Sequence, residues 1–84
     1  MEDYILMSAM YPTMTSGKVD KFLVQEGDKV AKGTAVAEII SEGYFTLLSE
    51  VKGRVKALYV SEGEYVEVDA ILMEIELAKD EEED

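Results

Sequence analysis

The sequence contains no cysteine and no histidine, and its 19 acidic residues outnumber the 8 basic ones. Without cysteine, neither disulfides nor thiolate metal ligands can stabilise the fold. Without histidine, the commonest general base and the commonest metal ligand are both missing. A formal net charge of −11 argues against nucleic acid as a partner, because nucleic-acid binding needs a basic surface.

Long apolar runs are also missing, so no segment has the length needed to span a bilayer. The N-terminus, Met-Glu-Asp-Tyr, has no basic region ahead of its apolar residues and does not resemble a secretory signal. We therefore expect no membrane partner and a cytoplasmic or mitochondrial-matrix location. The 84 residues are enough for one small core, and we expect the isolated domain to be a monomer.

The chain contains nearly the same segment twice. Residues 17–40 and 53–76 align without a gap at an offset of 36 residues, and eight of their 24 pairs are identical. The identical pairs are Gly17/Gly53, Val19/Val55, Val24/Val60, Glu26/Glu62, Gly27/Gly63, Val30/Val66, Glu38/Glu74 and Ile39/Ile75. Such a repeat indicates one supersecondary unit used twice. Two copies are too few for a solenoid, and they favour a closed domain with pseudo-twofold symmetry in which each half covers the other's apolar face.

Each copy has the pattern of short β-strands rather than helices. Runs rich in Val, Ile, Tyr and Phe alternate with glycine-containing turns about ten residues apart. Alternation within the strands predicts that Val19 and Leu23 point the same way, and that Ile71, Met73 and Ile75 form one row of the last strand. The residues predicted to form the core are Val19, Leu23, Val30, Ile39, Val55, Val66 and Ile75.

Several polar and aromatic residues have simple structural interpretations. The repeated acidic pairs Glu26/Glu62 and Glu38/Glu74 are more simply features of the repeat than acid–base or cation-binding groups. The five tyrosines are expected at the edge of a small core rather than in a binding platform. Residues 80–84 read Asp-Glu-Glu-Glu-Asp and are expected to form a solvated, disordered tail or the start of a linker.

Short motifs occur in the order and spacing of one known family. Residues 7–19 read Met-Ser-Ala-Met-Tyr-Pro-Thr-Met-Thr-Ser-Gly-Lys-Val, and residues 24–30 read Val-Gln-Glu-Gly-Asp-Lys-Val. The second half repeats the pattern with Gly-Arg-Val at 53–55 and Val-Ser-Glu-Gly at 60–63. Over about residues 4–77 the chain resembles lipoyl domains of 2-oxo acid dehydrogenase (E2) acyltransferases, most closely those of the pyruvate complex.

The resemblance implies an all-β barrel-sandwich hybrid, which is a flattened β-barrel of two four-stranded sheets. It implies one lipoyl-like domain over residues 1–79, with half-repeats at about 4–40 and 41–77. In the family, a lysine at the tip of the central hairpin carries lipoate, and the related biotinyl domains carry biotin. The protein part presents this arm and does no chemistry itself. The implied partners are a dehydrogenase (E1) component and a lipoate ligase.

The hairpin tip departs from the family pattern. Ser41, Glu42 and Gly43 form a tight-turn signal with glycine in the third position. Counting back from Gly53 places the family lysine at Glu42, and counting forward from Glu38 places it at Gly43. The two counts differ because this hairpin is one residue shorter than that of the family. A carboxylate cannot form the amide that joins lipoate or biotin to a lysine amine, so no cofactor is expected here. Lys79 is the pseudo-symmetric alternative, although it has the pattern of a solvated lysine before an acidic tail.

Two functions therefore remain open. One is a non-catalytic scaffold or docking module that keeps the lipoyl-like fold without its attachment site. The other is a swinging-arm carrier of lipoate or biotin attached at a non-standard lysine such as Lys79. The residues of the turn favour the first.

Overall fold

The computed structural model describes residues 1–78, and every regular element in this range is a β-strand. The strands are β1 (Glu2–Leu6), β2 (Ser16–Phe22), β3 (Lys29–Val30), β4 (Ala35–Ile40), β5 (Tyr44–Leu48), β6 (Gly53–Leu58), β7 (Tyr65–Glu67) and β8 (Ile71–Leu77). Across this range there is no helix long and apolar enough to cross a membrane. The predictions for Lys79 and for residues 80–84 lie outside the described residues.

The strands form two four-stranded antiparallel sheets. One sheet has the order β1-β8-β6-β3 and the other has the order β5-β4-β2-β7. Exchanging β1 with β5, β2 with β6, β3 with β7 and β4 with β8 turns one order into the other. The predicted fold class is confirmed, and the two sheets follow the same plan, as a pseudo-twofold axis requires.

The turns of each half are hydrogen-bonded to a strand of the other half. The Gly27 amide donates to the Val55 carbonyl at 2.8 Å, and the Gly63 amide donates to the Val19 carbonyl at 2.6 Å. Both glycines have a positive φ, 95° for Gly27 and 90° for Gly63, which side chains of other residues rarely tolerate. The repeated glycines therefore occupy equivalent places, as the sequence predicts.

Gly17 and Gly53 make equivalent close approaches. A Cβ atom placed on Gly17 would lie 2.8 Å from Cγ2 of Ile39, and one placed on Gly53 would lie 2.7 Å from Cγ2 of Ile75. Ile39 and Ile75 are themselves repeat partners, so the same pair of residues packs in both halves. The missing side chain lets the backbone of β2 and β6 lie directly against a buried isoleucine.

One pair of β-bulges explains why a residue predicted to lie in the core is exposed. The register shifts between Val19 and Lys21 in β2, and between Val55 and Ala57 in β6. An extra residue reverses the alternation of side chains beyond it. As a result Leu23 is 41% exposed, and the prediction that it is buried is wrong. Its neighbour Phe22 packs against the core instead.

A second pair of bulges places Val36 of β4 and Leu72 of β8 in the core. Ala35 and Ala37 of β4 pair with consecutive residues of β5, and Ile71 and Met73 of β8 pair with consecutive residues of β1. The residue between each pair, Val36 or Leu72, is therefore the extra residue of a bulge. Val36 and Leu72 are fully buried, whereas Ile71 is 41% exposed. The predicted row is therefore wrong for Ile71, although Met73 and Ile75 are buried.

The core is one cluster to which both sheets contribute. The other six predicted core residues are buried, namely Val19, Val30, Ile39, Val55, Val66 and Ile75. The cluster is completed by Ile5, Met7, Met14, Val36, Ala37, Leu47, Leu72 and Met73. Because each sheet supplies one side of this cluster, neither buries its apolar face without the other.

Candidate functional site

The turn between β4 and β5 is the position at which the family resemblance expects a modified lysine. Ile40 pairs with Tyr44 as the last pair of the two strands, so the turn consists of Ser41, Glu42 and Gly43. Glu42 has a φ of 57°, which is the left-handed conformation that non-glycine residues adopt at a cost. Glu42 and Gly43 are exposed, and the turn offers no amine to an incoming acyl group.

Ser41 anchors this turn to the body of the domain. Its hydroxyl donates to the Ser16 carbonyl at 2.9 Å and lies 2.8 Å from the Tyr11 hydroxyl. Since the serine proton is used on Ser16, the Tyr11 hydroxyl is the donor of the second bond. The Tyr11 ring packs near Phe45, with 6.0 Å between ring centroids. Ser41 is therefore half-buried, whereas Glu42 and Gly43 are exposed.

A row of large side chains crosses the outer face of the sheet beside the turn. Strand pairing brings Tyr44 opposite Ile40, Ile40 opposite Lys18, and Lys18 opposite Tyr65. Tyr44 is 66% exposed and Tyr65 is 74% exposed, and the Lys18 ammonium lies 6.0 Å from the centre of the Tyr65 ring. The expectation that the tyrosines lie at the core edge is wrong for Tyr44 and Tyr65, and Tyr4 and Tyr59 are exposed as well, whereas Tyr11 packs against the core.

The Tyr44 hydroxyl is held in this row by a carboxylate. It donates to Oδ2 of Asp20 at 2.9 Å. That hydrogen bond, followed by partial desolvation, raises the pKa of Tyr44 above its ordinary value. The hydrogen bond holds the hydroxyl in place while the ring stays exposed to solvent.

Sequence reasoning missed this row because its four members come from four strands. One signal was present, since a three-residue turn at 41–43 places residue 40 opposite residue 44. The pairings of Lys18 with Ile40 and with Tyr65 join strands that are far apart in sequence, so neither follows from the local pattern.

Glu26 and Glu62, one of the two repeated acidic pairs, have matching structural roles. Oε2 of Glu26 accepts a hydrogen bond from the Leu58 amide at 3.3 Å, and Oε2 of Glu62 accepts one from the Phe22 amide at 2.8 Å. Each glutamate thus satisfies a backbone donor in the other half of the domain. Within residues 1–78 no group of acidic side chains is arranged to hold a metal ion.

Glu74 takes part in a cluster on the outer face of the other sheet. It is the one buried carboxylate among the described residues, and Oε1 accepts a hydrogen bond from the Tyr59 hydroxyl. The Lys56 ammonium lies 2.7 Å from Oε2 of Glu2 and 3.6 Å from Oε2 of Glu74. The bond to Glu74 raises the pKa of Tyr59, and the bond to Glu2 raises the pKa of Lys56. The cluster joins β1, β6 and β8 through one lysine and two carboxylates.

A family model described as "Biotin-requiring enzyme", for biotin and lipoyl domains, matches residues 4–75. The chain belongs to this family. The match covers the two sheets, the turn at 41–43 and both copies of the repeat. This match confirms the resemblance to lipoyl domains that the sequence motifs indicate.

The curated relatives are components of the pyruvate dehydrogenase complex. The dihydrolipoyllysine-residue acetyltransferase component of Rhizobium meliloti (strain 1021) is 40% identical over 70 residues, which are 81% of this chain and 16% of that protein. The E1 component subunit beta from the same organism is 54% identical over 35 residues, which are 42% of this chain and 8% of that protein. The chain therefore spans less than a fifth of the length of either relative.

Two solved structures share the fold. The lipoyl domain of the 2-oxoglutarate dehydrogenase complex from Azotobacter vinelandii superposes with a TM-score of 0.69 at 18% identity, covering 89% of this chain and 99% of that one. A single-chain, multi-domain long-chain acyl-CoA carboxylase superposes with a TM-score of 0.75 at 16% identity, covering 93% of this chain and 7% of that one. At these identities the likeness shows the fold alone.

Proposed function

We propose that this lipoyl-type domain carries neither lipoate nor biotin at its central hairpin and acts as a non-catalytic docking or scaffold module. Its proposed partner is a dehydrogenase component of a 2-oxo acid dehydrogenase complex. The observation that carries the proposal is the turn itself, in which Ser41, Glu42 and Gly43 stand where the family has a lysine.

The geometry of the turn supports the loss of attachment as well. A ligase needs an amine held at a defined place on a rigid support. Here the exposed tip is the carboxylate of Glu42, in a left-handed conformation. Ser41 is tied to Ser16 and Tyr11, so the turn is anchored to the body of the domain.

The row beside the turn supports a docking role. Tyr44, Ile40, Lys18 and Tyr65 offer an apolar and aromatic surface with one cation, and aromatic residues are enriched at protein interfaces. Tyrosine brings large contact area with few rotatable bonds, which keeps the entropic cost of binding low. The acidic body of the domain favours a basic partner surface around this row.

A carrier role through Lys79 is the alternative. At the repeat offset of 36 residues, Lys79 corresponds to Gly43, so it follows β8 as the hairpin tip follows β4. A lysine at this place is the one sequence feature that favours attachment.

Intact mass spectrometry after incubation with a lipoate ligase, lipoate and ATP tests the proposal. Three chains are compared: the unaltered chain, Glu42→Lys, and a chain in which residues 41–43 are replaced by Thr-Asp-Lys-Ala. We expect no mass increase for the unaltered chain and the addition of one lipoyl group to the rebuilt turn. Glu42→Lys is expected to be modified poorly, because its turn remains one residue short.

Lys79→Arg in the unaltered background is the matched control, since arginine keeps the charge but accepts no lipoyl group. Modification of the unaltered chain that disappears in Lys79→Arg would establish the carrier alternative. Modification at any other lysine would overturn the proposal that the chain carries no arm.

A further inference from the structure

Strand β5 lies at the edge of its sheet and lacks the features that usually protect a sheet edge. The edge strands of the two sheets are β1, β3, β5 and β7, and proteins protect such edges by keeping them short or by placing charges or proline in them. β3 has two residues and β7 has three. β1 starts with Glu2 and Asp3, and Oδ1 of Asp3 accepts a hydrogen bond from the Tyr4 amide at 2.8 Å. β5 has five residues, and none of them is charged or proline.

The backbone of β5 offers hydrogen-bonding groups on its open side. Before β5, the Gly43 carbonyl accepts a bond from the Ser41 amide at 2.9 Å, and after it, the Ser49 amide donates to the Thr34 carbonyl at 2.8 Å. Both bonds run to the β4 side. Because backbone groups alternate between the two sides of a strand, the open side receives the amides and carbonyls of Tyr44, Thr46 and Leu48. Within residues 1–78, β5 pairs with no strand other than β4, and no backbone group of a turn or loop bonds to these residues.

An apolar cleft lies between β5 and the edge strand β1 of the other sheet. Its volume is about 320 Å³. Leu6 of β1 and Leu48 of β5, which the pseudo-twofold axis exchanges, line it together with Val51, and both leucines are exposed. No Cα atom of β1 lies within 8 Å of a Cα atom of β5, whereas hydrogen-bonded strands are about 4.8 Å apart. The two edges therefore do not pair with each other, and apolar surface stays open between them.

The charged side chains that line this cleft are both acidic. They are Asp3 in β1 and Glu50, which follows β5. A second copy of the chain, with a formal net charge of −11, brings the same sign of charge to this rim, and like charges repel. A partner segment with basic residues brings the opposite sign. The charge of the rim therefore favours a basic partner segment over a second copy.

We propose that β5 accepts an extended segment of a partner protein as an added antiparallel strand of the β5-β4-β2-β7 sheet. Backbone hydrogen bonds to Tyr44, Thr46 and Leu48 supply affinity, and the side chains of the segment supply specificity. Every second side chain of the segment faces the cleft, where apolar residues pack against the leucines and basic residues at the ends reach Asp3 and Glu50. This docking mode goes beyond the proposed function, since it holds whether or not the turn at 41–43 carries an arm.

Hydrogen exchange with a synthetic peptide tests the added strand in the full 84-residue chain. The probe is acetyl-Lys-Thr-Val-Thr-Val-Thr-Lys-amide, whose lysines and valines share one face of a strand. We expect the amides of Tyr44, Thr46 and Leu48 to exchange freely in the unbound chain and to become protected as the peptide is added. The amides of Glu2 and Leu6 in β1 are the comparison, and they should keep their exchange rates.

Two methylated peptides distinguish strand pairing from apolar adhesion. In an antiparallel pair, residues opposite each other exchange hydrogen bonds and share a face, so the amides of the threonines bond to β5. Methylation of the threonine amides should weaken binding by roughly tenfold or more, because several hydrogen bonds are lost. Methylation of the valine amides should change binding little. Equal losses in the two peptides, or a larger loss in the second, would overturn the proposal.

Three variants of the chain provide the complementary test. Thr46→Pro removes the central open amide, which proline at a solvent-facing edge position allows, and should abolish binding. Glu50→Gln removes one rim carboxylate and should weaken binding of the lysine peptide, but not of a peptide with glutamine in place of lysine. Glu67→Gln on the edge strand β7 is the matched control and should leave both peptides unaffected. If Thr46→Pro does not fold, Glu50→Gln still decides, and equal effects of Glu50→Gln and Glu67→Gln would contradict the proposed site.

Exchange in the unbound chain identifies other occupants of the edge. Slow exchange at Tyr44, Thr46 and Leu48 at every protein concentration would show that the chain itself already covers them. Protection that grows with protein concentration in the absence of peptide would mean that a second copy occupies the edge. Protection by the peptide at Glu2 and Leu6 instead would place binding on β1. Each of these three results would overturn the proposal.

Discussion

Gly17 and Gly53 are repeat partners, but different atoms crowd them. A Cβ on Gly17 would meet Cγ2 of Ile39 at 2.8 Å and Cε of Met14 at 3.1 Å, both of which belong to side chains that can move. A Cβ on Gly53 would overlap the carbonyl oxygen of Glu76, which is backbone held in β8 between two strands.

We therefore expect Gly17→Ala to lower the free energy of unfolding by about 1–3 kcal/mol, as overpacking usually does, and Gly53→Ala to lower it further. Urea denaturation of the two variants and the parent chain measures the difference. A lower midpoint for Gly17→Ala than for Gly53→Ala would contradict this assignment of the contacts.

The Tyr59 hydroxyl makes the free energy of unfolding depend on pH in the alkaline range. Its bond to Glu74 raises the pKa of Tyr59 above 10.0 in the folded protein, so the folded state holds this proton more tightly than the unfolded state. The stabilisation is fully present below the pKa of the unfolded chain, and it is lost as the pH rises through the higher folded value. The pKa of Lys56 is raised by Glu2 and acts in the same direction.

Glu74→Gln removes the carboxylate that holds the Tyr59 proton. We expect the pKa of Tyr59 to move toward 10.0 and the alkaline loss of stability to become shallower. NMR titration of the tyrosine ring and urea unfolding at several alkaline pH values measure the two effects. Glu38→Gln changes the repeat partner of Glu74 and serves as the control, since it should leave the pKa of Tyr59 unchanged.

At the scale of single strands, the bulges decide which residues face the core. Alternation in β2 places Leu23 with Val19, but the bulge at Asp20 turns Leu23 outward and Phe22 inward. The equivalent bulge at Lys56 acts in the same way in β6. The bulges are therefore part of the repeated unit rather than isolated irregularities.

Ile39→Ala and Ile75→Ala should each cost about 2–5 kcal/mol, because both side chains are fully buried and their removal leaves a cavity. Leu23→Ala is the matched control, which we expect to cost much less since Leu23 is largely exposed. Midpoints of denaturant unfolding compare the three. An unchanged midpoint for either isoleucine variant, or a loss at Leu23 equal to theirs, would show that the core is wrongly assigned.

At the scale of the whole molecule, each sheet is assembled from both halves of the chain. The β1-β8-β6-β3 sheet takes β1 and β3 from the first half, and the β5-β4-β2-β7 sheet takes β5 and β7 from the second. Neither half holds a complete sheet, and a two-stranded remnant is at best marginally stable in water.

We therefore expect fragments 1–42 and 43–84 to be unfolded as separate monomers and to fold when mixed in equal amounts. Dispersion of amide signals in NMR spectra and analytical ultracentrifugation report folding and mass together. A single fragment that gave a dispersed spectrum as a monomer would show that a half is an independent unit. The unaltered chain serves as the reference for the complemented spectrum.

The sequence by itself determined the repeat, the all-β class, the family and six of the seven core positions tested. These follow from local patterns: glycines recur at a constant offset, apolar residues alternate along short strands, and motifs keep their spacing. The identity of Ser41, Glu42 and Gly43 also determined that the turn holds no lysine, whatever the fold does around it.

Only the tertiary structure decided the exposure of Leu23, the anchoring of Ser41 by Tyr11 and the row from Tyr44 to Tyr65. Each depends on register between strands or on the contact of a connection with a distant turn. Residues far apart in sequence meet there, and a single extra residue in a strand reverses which side chains point outward. A local sequence pattern does not predict these contacts, because the residues that form each contact lie on different strands.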